Sequence, residues 1–181
     1  MSGARGAISG ASGSGTVWAT TDSPVGELLL VGTERADGIA LTSLSMPGQR
    51  NAPAVRGAWR RDEAAFGEVR RQLSAYFTDQ GTEFQLKFGK SGSEFQRRVW
   101  AALEEIPYGT TTTYGELAER LGIPRSGIRA VGTAVGANPL LLVRPCHRVV
   151  GADGAMCGYA GGVDRKVWLL THEGALQPTL V

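Results

Sequence analysis

Two capping boxes decide what the second half of this chain can become. Ser93-Glu94-Phe95-Gln96 and Thr113-Tyr114-Gly115-Glu116 each set a hydroxyl residue three positions ahead of a Gln or Glu. In that arrangement side chain and backbone satisfy each other's free N–H groups at a helix start. Phe95, Val99, Ala102, Leu103 and Ile106 follow the first box as a helical apolar stripe, and Pro107 stops it. The second box predicts a helix through Leu121, closed by Gly122 and Pro124, and another helix covers about Ser126–Ala137. Two short helices around a tight Gly/Pro turn predict a helix-turn-helix.

The first half has a different texture. "VWATTDSPVGELLLVGT" and "GIALTSLS" read as short strands divided by Asp-Ser-Pro and Ala-Asp-Gly turns. Residues 62–78 read as a helix with Phe66, Val69, Leu73 and Phe77 on one face, and "FQLKF" (84–88) as a last strand. The expected organisation is a Gly/Ser/Ala-rich disordered tail (1–15), an α/β domain with a β-sheet (16–88), a linker (89–92), a helical domain carrying the helix-turn-helix (93–176) and a short tail (177–181). The fold class is thus α+β followed by α. The first residues lack an apolar core for a signal peptide, and no apolar run approaches a membrane span.

The chemistry concentrates in "RPCHRVVG". A thiol and an imidazole stand side by side at Cys146 and His147. A closed zinc site wants four ligands from short-spaced pairs. This chain has two cysteines and two histidines in all, so no metal is expected. Two cysteines also suit a reducing compartment better than a disulfide framework. Net charge is only +2, yet residues 120–148 carry Arg120, Arg125, Arg129, Arg144 and Arg148 with no acidic residue. Such a stripe is either a solvated face or the footprint of an anionic partner.

In the 126–137 helix, Ile128, Val131 and Val135 make one face, and Arg129, Gly132, Thr133 and Gly136 another. Small residues there permit either tight helix packing or close approach to a DNA groove, with Arg129 as the long side chain reaching in. Arg144 lies in "LLLVR", which reads as a buried strand. It must find a carboxylate, with Glu173 and Asp164 as candidates, or point outward. A guanidinium near Cys146 would also favour its thiolate.

Taken in order, "FQRRVWAALEEIPYGTTTTYGELAERLG", "RAVGTAVGANP", "PCHRVVG" and "GYAGG" with "WLLTHEG" resemble the O6-alkylguanine-DNA alkyltransferases, the methylated-DNA–protein-cysteine methyltransferases. The first half resembles their N-terminal domain mainly through "TDSPVGELLLVG". The resemblance implies a small α/β domain before a helical domain with the active site. It implies single-turnover transfer of an alkyl group from O6-alkylguanine, and from O4-alkylthymine, to the protein's own cysteine. On the matching positions Cys146 is the acceptor, His147 its base through a bridging water, and Glu173 the carboxylate behind the histidine. Tyr114 donates to guanine N3 and Asn138 supports the active-site turn. Val149, Tyr159 and Ala160 line the base pocket. Arg129, Ala130, Gly132, Thr133 and Tyr114 face the DNA, with Arg129 filling the gap left by the flipped nucleotide.

The implied partner is double-stranded DNA, bound through its minor groove without sequence preference by a monomer that needs no cofactor. The implied location is the cytoplasm, or the nucleoid in a bacterium. Arg144, Cys157 and Ala160 depart from the family's usual residues. With no cysteine or histidine before Cys146, the zinc site of some relatives is not expected. Three other readings compete. Alkyltransferase-like proteins bind alkylated DNA without transfer, but they lack the cysteine. A transcription factor would need Asn, Gln and Arg on the recognition helix for major-groove readout. A thiol hydrolase would need an oxyanion hole and a remote histidine.

Overall fold

The computed structural model describes residues 15–177. The tail expected at 1–15 and the end of that expected at 177–181 lie almost wholly outside the described residues. Three strands come first among the described residues: β1 (Thr16–Thr21), β2 (Leu28–Arg35) and β3 (Gly38–Ser45). They form an antiparallel meander, with Thr16 opposite Thr33 and Leu30 opposite Leu44. Gly38, at a φ of 122°, makes the tight return that a side chain would resist. A two-residue strand, β4 (Arg60–Arg61), runs parallel to β1 and completes the order β3-β2-β1-β4. Val17, Ala19, Leu28, Leu30, Leu41 and Leu44 make the buried side of the sheet.

The expectation of a last strand at 84–88 is corrected. Only an isolated bridge joins Phe88 to Leu41. The free edge of β3 is shared between two segments: Leu41 N–H donates to Lys87 O at 2.8 Å, while Leu44 N–H donates to Pro139 O at 3.0 Å. The second contact brings the active-site segment onto the edge of the N-terminal sheet and leaves no length for a five-residue ladder. The true fourth strand is a pair of exposed arginines, invisible to a hydrophobic pattern.

A 3-10 turn at Ala64–Phe66 precedes α1 (Gly67–Phe77). Val69, Leu73 and Tyr76 are its buried residues, and Phe77 is only partly buried. Beyond the linker come α2 (Glu94–Glu104), β5 (Thr112–Thr113) and α3 (Tyr114–Arg120). Both capping boxes form: Gln96 N–H donates to Ser93 Oγ, Glu116 N–H donates to Thr113 Oγ1, and each N3 side chain accepts from its N-cap N–H. Gly122, at a φ of 69°, ends α3, and Ile123 N–H closes back on Ala118 O at 2.8 Å. A 3-10 turn at Arg125–Gly127 leads into α4 (Ile128–Gly136), the second helix of the helix-turn-helix.

Val131, Ala134 and Val135 bury one face of α4, and Trp100 of α2 donates to Ala134 O at 2.8 Å. On the other face Arg129, Ala130, Thr133 and Gly136 are exposed. A Cβ at Gly136 would meet nothing within 4 Å, and one at Gly132 would touch only the Tyr114 ring, at 3.8 Å. Tight helix packing is therefore not why these residues are small. The chain then turns through the 3-10 segment Cys146–Arg148, β6 (Val149–Val150), paired parallel to β5, and α5 (Val163–His172). No helix among the described residues is long and apolar enough to cross a membrane.

Candidate active site

The expected buried strand at 140–144 is instead a buried turn. Leu142 takes a left-handed φ of 71°, a conformation that costs a residue with a Cβ about 1–2 kcal/mol. Asn138 holds the turn from inside. Its Nδ2 donates to Arg144 O at 2.9 Å and to Leu140 O at 3.3 Å, and its Oδ1 accepts from Leu140 N–H at 3.0 Å. This buried amide replaces the hydrogen bonds a strand would have made and delivers Cys146 at the start of the following 3-10 turn.

Cys146 and His147 are both buried. His147 Nε2 and Glu173 Oε1 are 2.8 Å apart, and His147 Nδ1 is buried with no protein partner. Arg148 grips the same carboxylate with two bonds of 2.9 Å, from Nε and Nη2, and donates its Nη1 to Ile106 O at 2.6 Å. Burial alone would raise the Glu173 pKa, but the bonds and charges of His147 and Arg148 hold it down at about 2. Burial lowers the His147 pKa, and Glu173 pushes back the other way. Burial raises the Cys146 thiol, opposed by the Asn138 amide and the charges of Lys166 and Arg144. The result is a permanent carboxylate behind a buried imidazole, beside a thiol that needs a base to ionise.

A cavity of ≈190 Å³ opens onto the sulfur. Tyr114, Gly132, Val135, Gly136, Gly158, Tyr159 and Ala160 line it, together with Arg50 from the N-terminal domain. Tyr114 sits at the first position of α3, and burial raises its pKa, so its hydroxyl stays a donor. The Tyr159 hydroxyl is buried without a protein partner, and burial raises its pKa as well. Val149 lies just beyond the cysteine turn, and its carbonyl accepts from Lys166 Nζ at 2.6 Å. Gly161 follows Ala160, and a Cβ there would fall 2.7 Å from Met46 Sδ and 2.8 Å from Tyr159 Cε1. The close approach of the two domains behind the pocket therefore depends on glycine.

The structure thus gathers Cys146, His147, Glu173, Tyr114, Asn138, Tyr159 and Ala160 about the cysteine turn and its cavity, whereas Val149, expected in the pocket, is buried and does not line the cavity. Arg129, Ala130 and Thr133 lie on the adjoining open face of α4 and line a surface groove with Ser126. Arg144 differs from expectation: neither Glu173 nor Asp164 is its partner. Arg148 occupies Glu173 instead. Arg144 Nε instead donates to Glu104 Oε1 at 3.1 Å, and its guanidinium lies over the rings of Trp100 (5.0 Å) and Phe88 (5.5 Å). It is buried and satisfied by a carboxylate forty positions back in the chain, which no local pattern indicates.

Lys166 escaped the sequence reading. It is fully buried, and its Nζ donates to Val149 O, to Cys157 O at 2.8 Å and to Gly158 O at 3.4 Å. It therefore ties α5 to both sides of the pocket. A signal existed: Lys166 and Glu173 bracket Leu169 and Leu170 on a single helical face at i, i+3, i+4 and i+7, where charged residues do not belong unless paired. Tyr76 and Arg50, contributed by the first domain, carried no such signal. Among the described residues no group of three His, Cys, Asp or Glu side chains is placed to hold a metal ion.

Two family models match in tandem. Residues 16–89 match the ribonuclease-like domain of 6-O-methylguanine DNA methyltransferase, and residues 94–175 match its DNA binding domain. A methylated-DNA–protein-cysteine methyltransferase of Mycolicibacterium paratuberculosis is 48% identical over 159 residues, covering 88% of this chain and 93% of the relative. The crystal structure of Mycobacterium tuberculosis O6-methylguanine methyltransferase superposes with a TM-score of 0.79 at 45% identity, covering 90% of this chain and 95% of that one. That of Mycobacterium tuberculosis OGT in complex with DNA gives 0.78 at 44% identity, covering 88% and 93%.

Proposed function

The chain belongs to the 6-O-methylguanine DNA methyltransferase family, and from that premise we propose that it repairs DNA by moving the alkyl group of O6-alkylguanine, and of O4-alkylthymine, irreversibly onto its own Cys146. One observation carries the reading: a buried thiol stands beside a histidine whose far nitrogen is held by a carboxylate kept anionic at about pKa 2.

The step balances without a cofactor. His147, acting from Nδ1 through a bridging water, takes the Cys146 proton. The thiolate attacks the alkyl carbon, an S–C bond forms, and the C–O6 bond breaks with its electron pair passing into the guanine ring. Tyr114 donates a hydrogen bond to N3 as that charge develops; the guanine anion then takes a proton from solvent, the His147 imidazolium returns its own to solvent, and the charges balance. A soft sulfur nucleophile suits displacement at carbon, and Glu173 stabilises the imidazolium without itself taking the proton. The S–C bond of a thioether is not reversed by the groups of this site, so each molecule reacts once. The damaged nucleotide must leave the base stack, because O6 is shielded within the duplex. Arg129 fills the gap, and Ala130, Gly132 and Thr133 let α4 lie against the minor groove without sequence preference. The monomer acts where the DNA is, in the cytoplasm or on a nucleoid.

The test uses an excess of duplex carrying O6-methylguanine, followed by intact mass and peptide mapping. One methyl per protein on Cys146 is expected, and Cys146→Ser should bind the duplex but transfer nothing. Binding without any mass gain would instead make the chain a recognition protein for alkylated DNA. More than one methyl per molecule, or label on Cys157, would refute the single-acceptor mechanism.

A further inference from the structure

The carboxylate of the proposed site is held from both domains. Tyr76 on α1 donates its hydroxyl to Glu173 Oε1 at 2.8 Å, across 97 positions of sequence. The same oxygen lies 2.8 Å from His147 Nε2 and 2.9 Å from Arg148 Nη2. The other, Oε2, accepts from Arg148 Nε at 2.9 Å and from Gly109 N–H at 3.5 Å. Tyr76 is almost completely buried. Phe77, Phe84, Tyr108 and His172 pack around its ring at centroid distances of 5.1–6.0 Å, and His172 Nε2 sits 2.8 Å from its backbone oxygen. A phenylalanine would fill this space as well. A buried hydroxyl is unfavourable unless paired, and its one side-chain partner is the carboxylate behind the histidine.

We propose that Tyr76 is a positioning residue for alkyl transfer: its hydroxyl fixes Glu173 and restrains how strongly that carboxylate draws a proton onto His147. The inference rests on the Cys146–His147–Glu173 reading above. Three donors share Oε1, so each lowers the negative charge left for the others. Removing the phenol leaves a stronger partner for imidazolium, and the His147 pKa rises. The base is then protonated, and idle, at a higher pH. Other charged groups near the pair are fixed in role. Arg148 and Lys166 disfavour the imidazolium. Tyr108 is a neutral phenol near Glu173, and Asp79 lies 3.6 Å from His172. Burial first, then Glu173, keeps Tyr76 protonated far above neutral pH, so it remains a donor throughout.

The test is the pH dependence of single-turnover methyl transfer from O6-methylguanine duplex by the full chain. Tyr76→Phe should move the acid limb up by about half a pH unit, and 3,5-difluorotyrosine at the same position, a stronger donor, should move it down. Phe84→Leu disturbs the same ring cluster and should leave the limb in place. In a His147→Ala background, Tyr76→Phe should change nothing further. Should Tyr76→Phe fold poorly, the difluorotyrosine protein, which keeps every contact, decides the matter alone. A wild-type chain that transfers no methyl overturns the function itself. A wild-type chain that transfers, with limbs superimposable across the Tyr76 variants, overturns the role of Tyr76 and leaves the function standing.

Discussion

Glu173→Gln removes the charge of a carboxylate that accepts five hydrogen bonds. In the native chain that group accepts from His147, Tyr76, Gly109 and twice from Arg148. A glutamine amide has one acceptor oxygen and one NH₂. Whichever way it turns, the NH₂ meets an Arg148 N–H, and on one side the Tyr76 hydroxyl as well. Arg148 keeps one bond to the amide oxygen, its bond to Ile106 O and the face of Tyr108, 5.7 Å away, but no counter-charge. Leaving a buried charge unpaired costs about 3–5 kcal/mol. At about 2–4 °C per kcal/mol for a chain of this length, Tm should fall by about 6–20 °C. Calorimetric melts at neutral pH measure the loss, and mass-detected methyl transfer on the same samples measures the lost activity. Adding Arg148→Met to Glu173→Gln should recover part of the stability, because the orphaned charge is gone. A single-variant loss below about 1 kcal/mol, the size of an exposed pair, would refute the reasoning.

Three further outcomes are expected. Arg129→Ala should slow repair of duplex far more than reaction with free O6-benzylguanine, which needs no flipping; equal losses on both would remove Arg129 from that role. Lys166→Met should raise the Cys146 thiol pKa, since the lysine charge favours the thiolate, and should free the carbonyls of Val149, Cys157 and Gly158; an unchanged pH dependence of Cys146 alkylation by iodoacetamide in a Cys157→Ser background would contradict this. Stability should fall in two stages on acidification. His147 has a folded pKa below its ordinary 6.5, so the unfolded chain takes up that proton first and stability drops as pH falls below 6.5. Glu173 is depressed from 4.5 to about 2, so its contribution, full above 4.5, is lost between 4.5 and about 2. Urea midpoints that stay level from neutral pH down to about 4 would contradict the first stage.

Much of the second domain was legible in the sequence because its signals are local. The hydroxyl-to-acid spacing of a capping box and the positive φ that glycine supplies after α3 act within a few residues, so the caps at Ser93 and Thr113 and the turn at Gly122 formed as read. The motif around Cys146 and His147 was equally local, and the resemblance added distant Glu173 to it. What the sequence could not determine was pairing across the chain. The edge of β3 accepts Lys87 and Pro139 rather than a whole strand, Arg144 finds Glu104 rather than Glu173, Arg148 takes Glu173, and Tyr76 reaches that carboxylate from the other domain. A buried charge or hydroxyl requires a partner, but its own neighbours in sequence do not say which one. That choice is made only by the tertiary fold, when water is excluded from the groups it brings together: within the second domain for Arg144 and Arg148, and between the domains for Tyr76 and Pro139.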